Sequence, residues 1–158
     1  MRYYLTSEWA LADRFTITDE TDKPVYNASG HRLGRMSITG PDDQEVAAVD
    51  KVPNADSFVV SVGGQDRAEV HSVGFIHVHY RAQLSQGTIE TDGDFAGSNY
   101  NLTRDGTFIG SVYKQGGAPT KDLVVDIVDG QEDVFVLAVV LAIARVRENP
   151  GRYSDNPF

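Results

Sequence analysis

From residue 2 to residue 128 the chain alternates apolar and polar positions in short runs separated by Gly, Asp, Asn and Pro. Phe15 to Thr18 alternates, the acidic stretch Asp19 to Lys23 turns, and Pro24 to Ala28 alternates again. Met36 to Thr39, Gly40 to Asp43 and Glu45 to Val49 repeat the scheme, as do Phe58 to Val62, Gly63 to Asp66 and Arg67 to Val70. Tyr100 to Thr103, Arg104 to Gly106 and Thr107 to Tyr113 do so again. An alternating run, a turn and a second alternating run is the pattern of a β-hairpin, because successive side chains of a strand point to opposite faces. The pattern predicts about twelve strands: 2–6, 14–18, 24–28, 35–39, 45–50, 57–62, 67–73, 75–81, 87–92, 99–103, 107–114 and 122–128. The hairpins recur about every 21 residues. They share no ladder of Leu, Gly or Asn, so the repeat marks a meander rather than a solenoid.

The alternation ends at eleven consecutive apolar residues, Val134 to Ala144. A buried strand normally runs four to eight residues, so this run is read as a helix over 131–147. Asp129 is placed to cap it, with Glu132 three positions on in the capping-box position. Asp133 falls in the first turn and Arg145 and Arg147 in the last, as the helix dipole favours. Asn149-Pro150-Gly151 stops it. A helix with no polar stripe must be surrounded on every side. Side chains fill a barrel of about eight strands, whereas a larger one leaves a lumen, and a helix is about 10–12 Å across. The expected fold is therefore mainly β: a closed antiparallel barrel of about twelve strands around a central, hydrophobic, C-terminal helix. At about 1.5–3 kcal/mol per large buried side chain, the helix contributes on the order of 10 kcal/mol before entropy.

Composition narrows the function. At 158 residues the chain is expected to be one domain, residues 1–147, followed by a polar, flexible tail at 148–158. The 14 basic and 23 acidic residues leave a net charge of −9, which opposes nucleic-acid backbones and anionic lipid alike. There is no cysteine, which excludes disulfides, thiol chemistry and thiolate metal sites. No signal-peptide core is visible near Met1, and the apolar run is too short for a transmembrane span. A cytoplasmic location is expected.

Four blocks carry a resemblance to a known family. They are Phe15 to Tyr26 (FTITDETDKPVY), Gly34 to Val46 (GRMSITGPDDQEV), Tyr100 to Gly110 (YNLTRDGTFIG) and, most specifically, Val125 to Ala144 (VDIVDGQEDVFVLAVVLAIA). With these the chain resembles the LURP-one-related family over residues 2–147, nearly its whole length. That family's fold is similar to the C-terminal domain of Tubby proteins and to phospholipid scramblases. The resemblance implies a twelve-stranded closed barrel around a C-terminal helix; the family has no established enzymatic activity, so the resemblance adds little about function. Tubby domains bind phosphoinositides through clustered Lys and Arg. Here the four lysines, Lys23, Lys51, Lys114 and Lys121, are scattered. Arg32 and Arg35, flanking a hairpin, are the candidate phosphate-binding residues that remain, set against surface decoration as the simpler explanation.

His77 and His79 form the one pair with metal-ligand spacing. On a strand, positions two apart share a face, so both imidazoles can reach one ion. The simpler alternative places Ile76, Val78 and Tyr80 in the core and both histidines in solvent. No nucleophile motif is present, and Asp19, Asp22, Asp42, Asp43, Asp66 and Asp105 fall where turn chemistry explains them. Asp92-Gly93-Asp94 lacks the later ligands of a calcium loop. Gly63-Gly64 and Gly116-Gly117 do not lead into a helix, so neither is a phosphate cradle.

The sequence thus points to a non-enzymatic binding or interaction module with no catalytic residues and no cofactor. Its ligand is expected to be a protein partner or a phospholipid head group, not a nucleic acid. The alternatives are a metal-assisted enzyme with its site at the barrel rim, through His77 and His79, and a scramblase-like membrane-associated protein.

Overall fold

A computed structural model describes residues 1–7, 14–30, 34–94, 99–114 and 123–148. It contains twelve strands: β1 (Arg2–Ser7), β2 (Arg14–Thr18), β3 (Pro24–Gly30), β4 (Met36–Thr39), β5 (Glu45–Lys51) and β6 (Ser57–Val62), then β7 (Gln65–Val73), β8 (His79–Leu84), β9 (Thr88–Asp94), β10 (Asn99–Arg104), β11 (Thr107–Lys114) and β12 (Leu123–Ile127). One helix, α1 (Asp133–Glu148), follows. Each strand pairs antiparallel with the next, and β1 pairs with β12 to close the barrel. The closing register sets Tyr3 opposite Val125 and Leu5 opposite Leu123. Closure leaves the sheet without an edge strand.

Alternation decides what faces in. Ile17, Met36, Ile38, Val60, Val70, Ile89, Leu102 and Val112 line the lumen and are almost wholly buried. Every helix residue from Phe135 to Ile143 is at most 2% exposed. The 16 residues of α1 span about 24 Å at 1.5 Å per residue. The helix is packed most closely against β5, β6 and β7. A strand or helix alone could not bury these faces, so wall and plug depend on each other for the core.

Two details of the helix differ from expectation. It starts at Asp133, and Glu132 rather than Asp129 occupies the capping position: its carbonyl accepts the first helical bond, from Val136 N–H, at 3.1 Å. Asp129 instead lies in a turn with Gly130 at φ 91°, its side chain fully exposed and 3.8 Å from the Met1 amine. The chain must reverse here before it can enter the lumen, and the reversal carries Asp129 away from the helix axis. Asp133 accepts a bond from the Tyr3 hydroxyl at 2.6 Å. Burial, and then this bond, raises the Tyr3 phenol above its ordinary value. At the other end Arg145 and Arg147 fall in the last turn, as the sequence predicts, and Arg145 is buried. Its guanidinium donates to Gly34 O at 3.0 Å and lies 6.0 Å from the Phe58 ring centre.

The largest shift in the wall is at β8. The expected strand 75–81 is displaced to His79–Leu84. Gly74 (φ 91°) turns the chain out of β7, and Val73 pairs with His79 across the reversal. Phe75, Ile76 and Val78 are therefore exposed, while Tyr80, Ala82 and Leu84 take the inward positions. The expected tail at 148–158 lies outside the described residues, except for the helical Glu148.

Candidate functional site

The strand ends define two rims. At one, where α1 begins, β2–β3, β4–β5, β6–β7, β8–β9 and β10–β11 are joined by short turns. At the other, where α1 ends, lie the reversals 52–56 and 74–78. The candidate site is on this second rim, where the 74–78 reversal meets β8 and β9.

Gly74 makes the reversal possible. A Cβ there would lie 2.9 Å from His77 O, because the loop folds back onto its own backbone. The fold-back thrusts Phe75 and Ile76 into solvent, 98% and 88% exposed. Beside them β8 and β9 part company. Their ladder runs from Gln83↔Thr88 to Arg81↔Glu90 and goes no further toward the rim. One position beyond, the Thr91 side chain takes over: its Oγ1 accepts from Tyr80 N–H at 2.8 Å and donates to Tyr80 O at 3.3 Å. A hydroxyl thus satisfies both backbone groups that the missing ladder would leave buried and unpaired.

The parting opens a cleft of 470 Å³, with His77, Val78 and His79 on one wall and Glu90, Thr91, Asp92 and Gly93 on the other. Gly93 has no room for a side chain, since a Cβ would collide with Asn99 O of the neighbouring strand. Below the cleft Arg81 Nε donates to Glu90 Oε1 at 2.7 Å, which neutralises that carboxylate. Asp92 is exposed at the mouth and has no ion-pair partner among the described residues.

The structure therefore brings His77 and His79 to one cleft, though not on one strand. His79 opens β8, whereas His77 belongs to the reversal. Among the described residues no three His, Asp or Glu side chains are grouped to hold a metal ion. The cleft offers two imidazoles and one open carboxylate beside the exposed apolar pair.

The other candidates lie elsewhere. Arg32 lies outside the described residues. Arg35 stands on the outer wall and is fully engaged: it donates to both oxygens of Glu45 at 2.7 and 2.9 Å and to Asp50 Oδ2 at 3.3 Å. Ser37 Oγ donates to the same Glu45 at 2.6 Å. These bonds, and then the Arg35 charge, hold the Glu45 carboxyl below its ordinary value. Three further outer arginines are paired likewise, Arg2 with Asp126, Arg67 with Glu132 and Arg81 with Glu90. Sequence reasoning missed Phe75, Ile76 and Asp92 as site residues. The glycine at position 74 was the available signal, since an apolar pair straight after a glycine suits a turn as well as a strand.

No helix among the described residues is long and apolar enough to cross a membrane. A comparison with curated proteins finds no match. Among solved structures, an Arabidopsis thaliana protein studied by X-ray crystallography has a similar fold, with a TM-score of 0.66 over 92% of this chain and 90% of that one, at 10% identity. The sequence model of the LURP-one-related family matches residues 1–144. That match spans every strand and most of the central helix, and on it the chain belongs to the LURP-one-related family.

Proposed function

We propose that this protein is a non-enzymatic interaction module that binds a protein partner at the rim carrying the β7–β8 reversal. The observation that carries this reading is the exposure of Phe75 and Ile76, side by side and almost wholly in water. Burying two such side chains is worth about 1.5–3 kcal/mol each, and the fold forgoes that gain. An exposed apolar group on a closed rim is what an interface anchor requires.

The interior supports the same reading. The helix fills the lumen, so a ligand must be met from outside. A phospholipid head group is the weaker candidate, because Arg2, Arg35, Arg67 and Arg81 already hold carboxylates and the net charge of −9 opposes an anionic surface. The LURP-one-related family is not a known enzyme family. A metal-assisted enzyme at the rim would rest on His77 and His79, which lack a third ligand among the described residues.

Co-sedimentation with vesicles of phosphatidylcholine and phosphatidylserine, at low and high salt, tests the choice of partner. The protein is expected to stay in the supernatant at both. Sedimentation at low salt that high salt reverses would establish the head-group reading instead. Calorimetric titration with zinc is expected to give no heat, and binding heat lost in a His77→Ala, His79→Ala variant would restore the metal reading.

A further inference from the structure

We infer that the partner is cationic around its contact: Phe75 and Ile76 seat in an apolar socket on it, and the cleft behind them receives one of its lysine or arginine side chains against Asp92. This rests on the reading of the rim as a protein-binding surface, and specifies the chemistry of what binds.

Three occupants could cover an apolar tip, and charge separates them. A second copy of the chain would bring another −9 toward the first. An anionic membrane would repel the chain in the same way. A basic protein surface is attracted at long range and gains further on contact. The cleft repeats this choice locally. Among the described residues no lysine or arginine lines it, and of the two carboxylates they supply Glu90 is already neutralised by Arg81. Asp92 is left as its open charge.

The geometry suits a long cation. The β8–β9 ladder ends at Arg81↔Glu90, and two positions further toward the rim His79 and Asp92 occupy the opposing walls of the parting. At 470 Å³ the cleft falls in the range of about 300–1,000 Å³ that holds small ligands, ample for one extended side chain. Thr91 is occupied with the Tyr80 backbone, so it holds the walls apart rather than meeting the ligand. An aliphatic stem would lie along Val78 and the cationic head would reach Asp92, with the two imidazoles beside it as hydrogen-bonding groups. Apolar anchor and cation pocket are adjacent because a single reversal, 74–78, forms both.

The test uses the full chain, isotope-labelled for amide NMR, and three short synthetic peptides. One carries a Leu-Leu pair followed by Arg, one has Glu in place of that Arg, and one has Gln there. The Arg peptide is expected to shift the amides of 75–79 and 90–93 and to bind at least tenfold more tightly than the Glu peptide. Phe75→Ser with Ile76→Ser should weaken all binding tenfold or more. Asp92→Asn should weaken the Arg peptide severalfold and leave the Gln peptide unchanged, which a general loss of folding would not do, and Asp66→Asn on the opposite rim, which removes the same net charge, should weaken neither. Thermal melts of the tip and cleft variants are expected to match the parent, since the altered side chains are exposed.

Equal binding of the Arg and Glu peptides, shifts confined to other residues, or no binding at millimolar peptide would overturn the inference and leave the protein-partner reading standing. Uptake of the tip by phosphatidylserine vesicles, blocked by Phe75→Ser with Ile76→Ser, would overturn both. Sedimentation of the free chain as a dimer that the same variant dissociates would overturn the cationic partner in favour of a second copy.

Discussion

The two rims of this barrel are built from different kinds of interaction. Where the helix enters, the turns are held by their own hydrogen bonds. Asp19 Oδ1 accepts from the backbone of Thr21 and Lys23, and Asp105 Oδ1 accepts from Thr88 N–H at 3.0 Å. Asp22, Asp43 and Asp105 adopt positive φ, and Asp105-Gly106 closes β10–β11 with both residues left-handed, the turn that matches strand twist. Tyr3–Asp133 and Arg67–Glu132 then tie the wall to the helix start. At the far rim the reversal at 74–78 makes the opposite use of its residues: its large apolar side chains are in solvent and a neighbouring ladder is left unzipped. Side chains satisfy backbone groups at both rims, Thr91 and Lys51 among them at the second, but only the second also carries large apolar side chains, Phe75 and Ile76, that touch little of their own fold. The turns of one rim and the exposed tip of the other can therefore be varied separately.

Substitutions ranked by effect would break or sharpen that contrast. The largest effect belongs to the plug, which both rims share. Leu137 is completely buried in the barrel axis, so Leu137→Asp should leave no cooperative melt, and deletion of 131–147 should prevent folding. The milder Leu141→Ala should cost about 2–5 kcal/mol in denaturant unfolding. A monomeric, cooperatively melting deletion variant would show that the wall stands without its helix.

Next comes the entry rim. Gly106 has φ 85° with open space around it, so Gly106→Ala meets no clash and tests backbone strain alone, about 1–2 kcal/mol. An unchanged midpoint would mean that this turn does not hold its hairpin.

Arg67→Ala should have a smaller effect, up to about 1 kcal/mol, because its pair with Glu132 is half exposed, although the guanidinium also lies 4.8 Å from the centre of the Phe135 ring. The pair supplies a pH signature. The Arg67 hydrogen bond, and then its charge, holds Glu132 below the ordinary value of 4.5. A carboxyl lowered on folding adds stability above that ordinary value and loses it as pH falls through the folded one. The electrostatic part of the difference between parent and Arg67→Ala should therefore be present at neutral pH and be lost as pH falls below 4.5, leaving the ring contact. A difference independent of pH would assign the whole effect to the ring.

The smallest expected change is at the far rim, where Phe75→Ser with Ile76→Ser should alter unfolding free energy by no more than about 0.5 kcal/mol. A loss of several kcal/mol would place those side chains in the fold and remove the distinction between the rims.

Much of the architecture is legible in the chain. Alternation with period two, punctuated by Gly and Asp turns, requires only local chemistry, and it suffices to number the twelve strands and pair them as a meander. The apolar run 134–144 suffices to make a helix and to require that it be enclosed, since no face of it tolerates water. Both inferences hold because solvent partition acts on every residue independently of its distant neighbours. The positions of Phe75 and Ile76 are not legible in this way. They continue the apolar rhythm and satisfy the pattern of a strand, and only the register of β7 on β8, with Val73 against His79, sets them outside it. The same holds for the cleft. His77 and His79 announce themselves by spacing, but Asp92 joins them through the end of the β8–β9 ladder and a Thr91 hydroxyl that stands in for it. Local pattern determines which residues seek the interior. Closure of the barrel and the pairing of its strands decide which of them are left outside, because the lumen holds one helix and a limited set of inward positions.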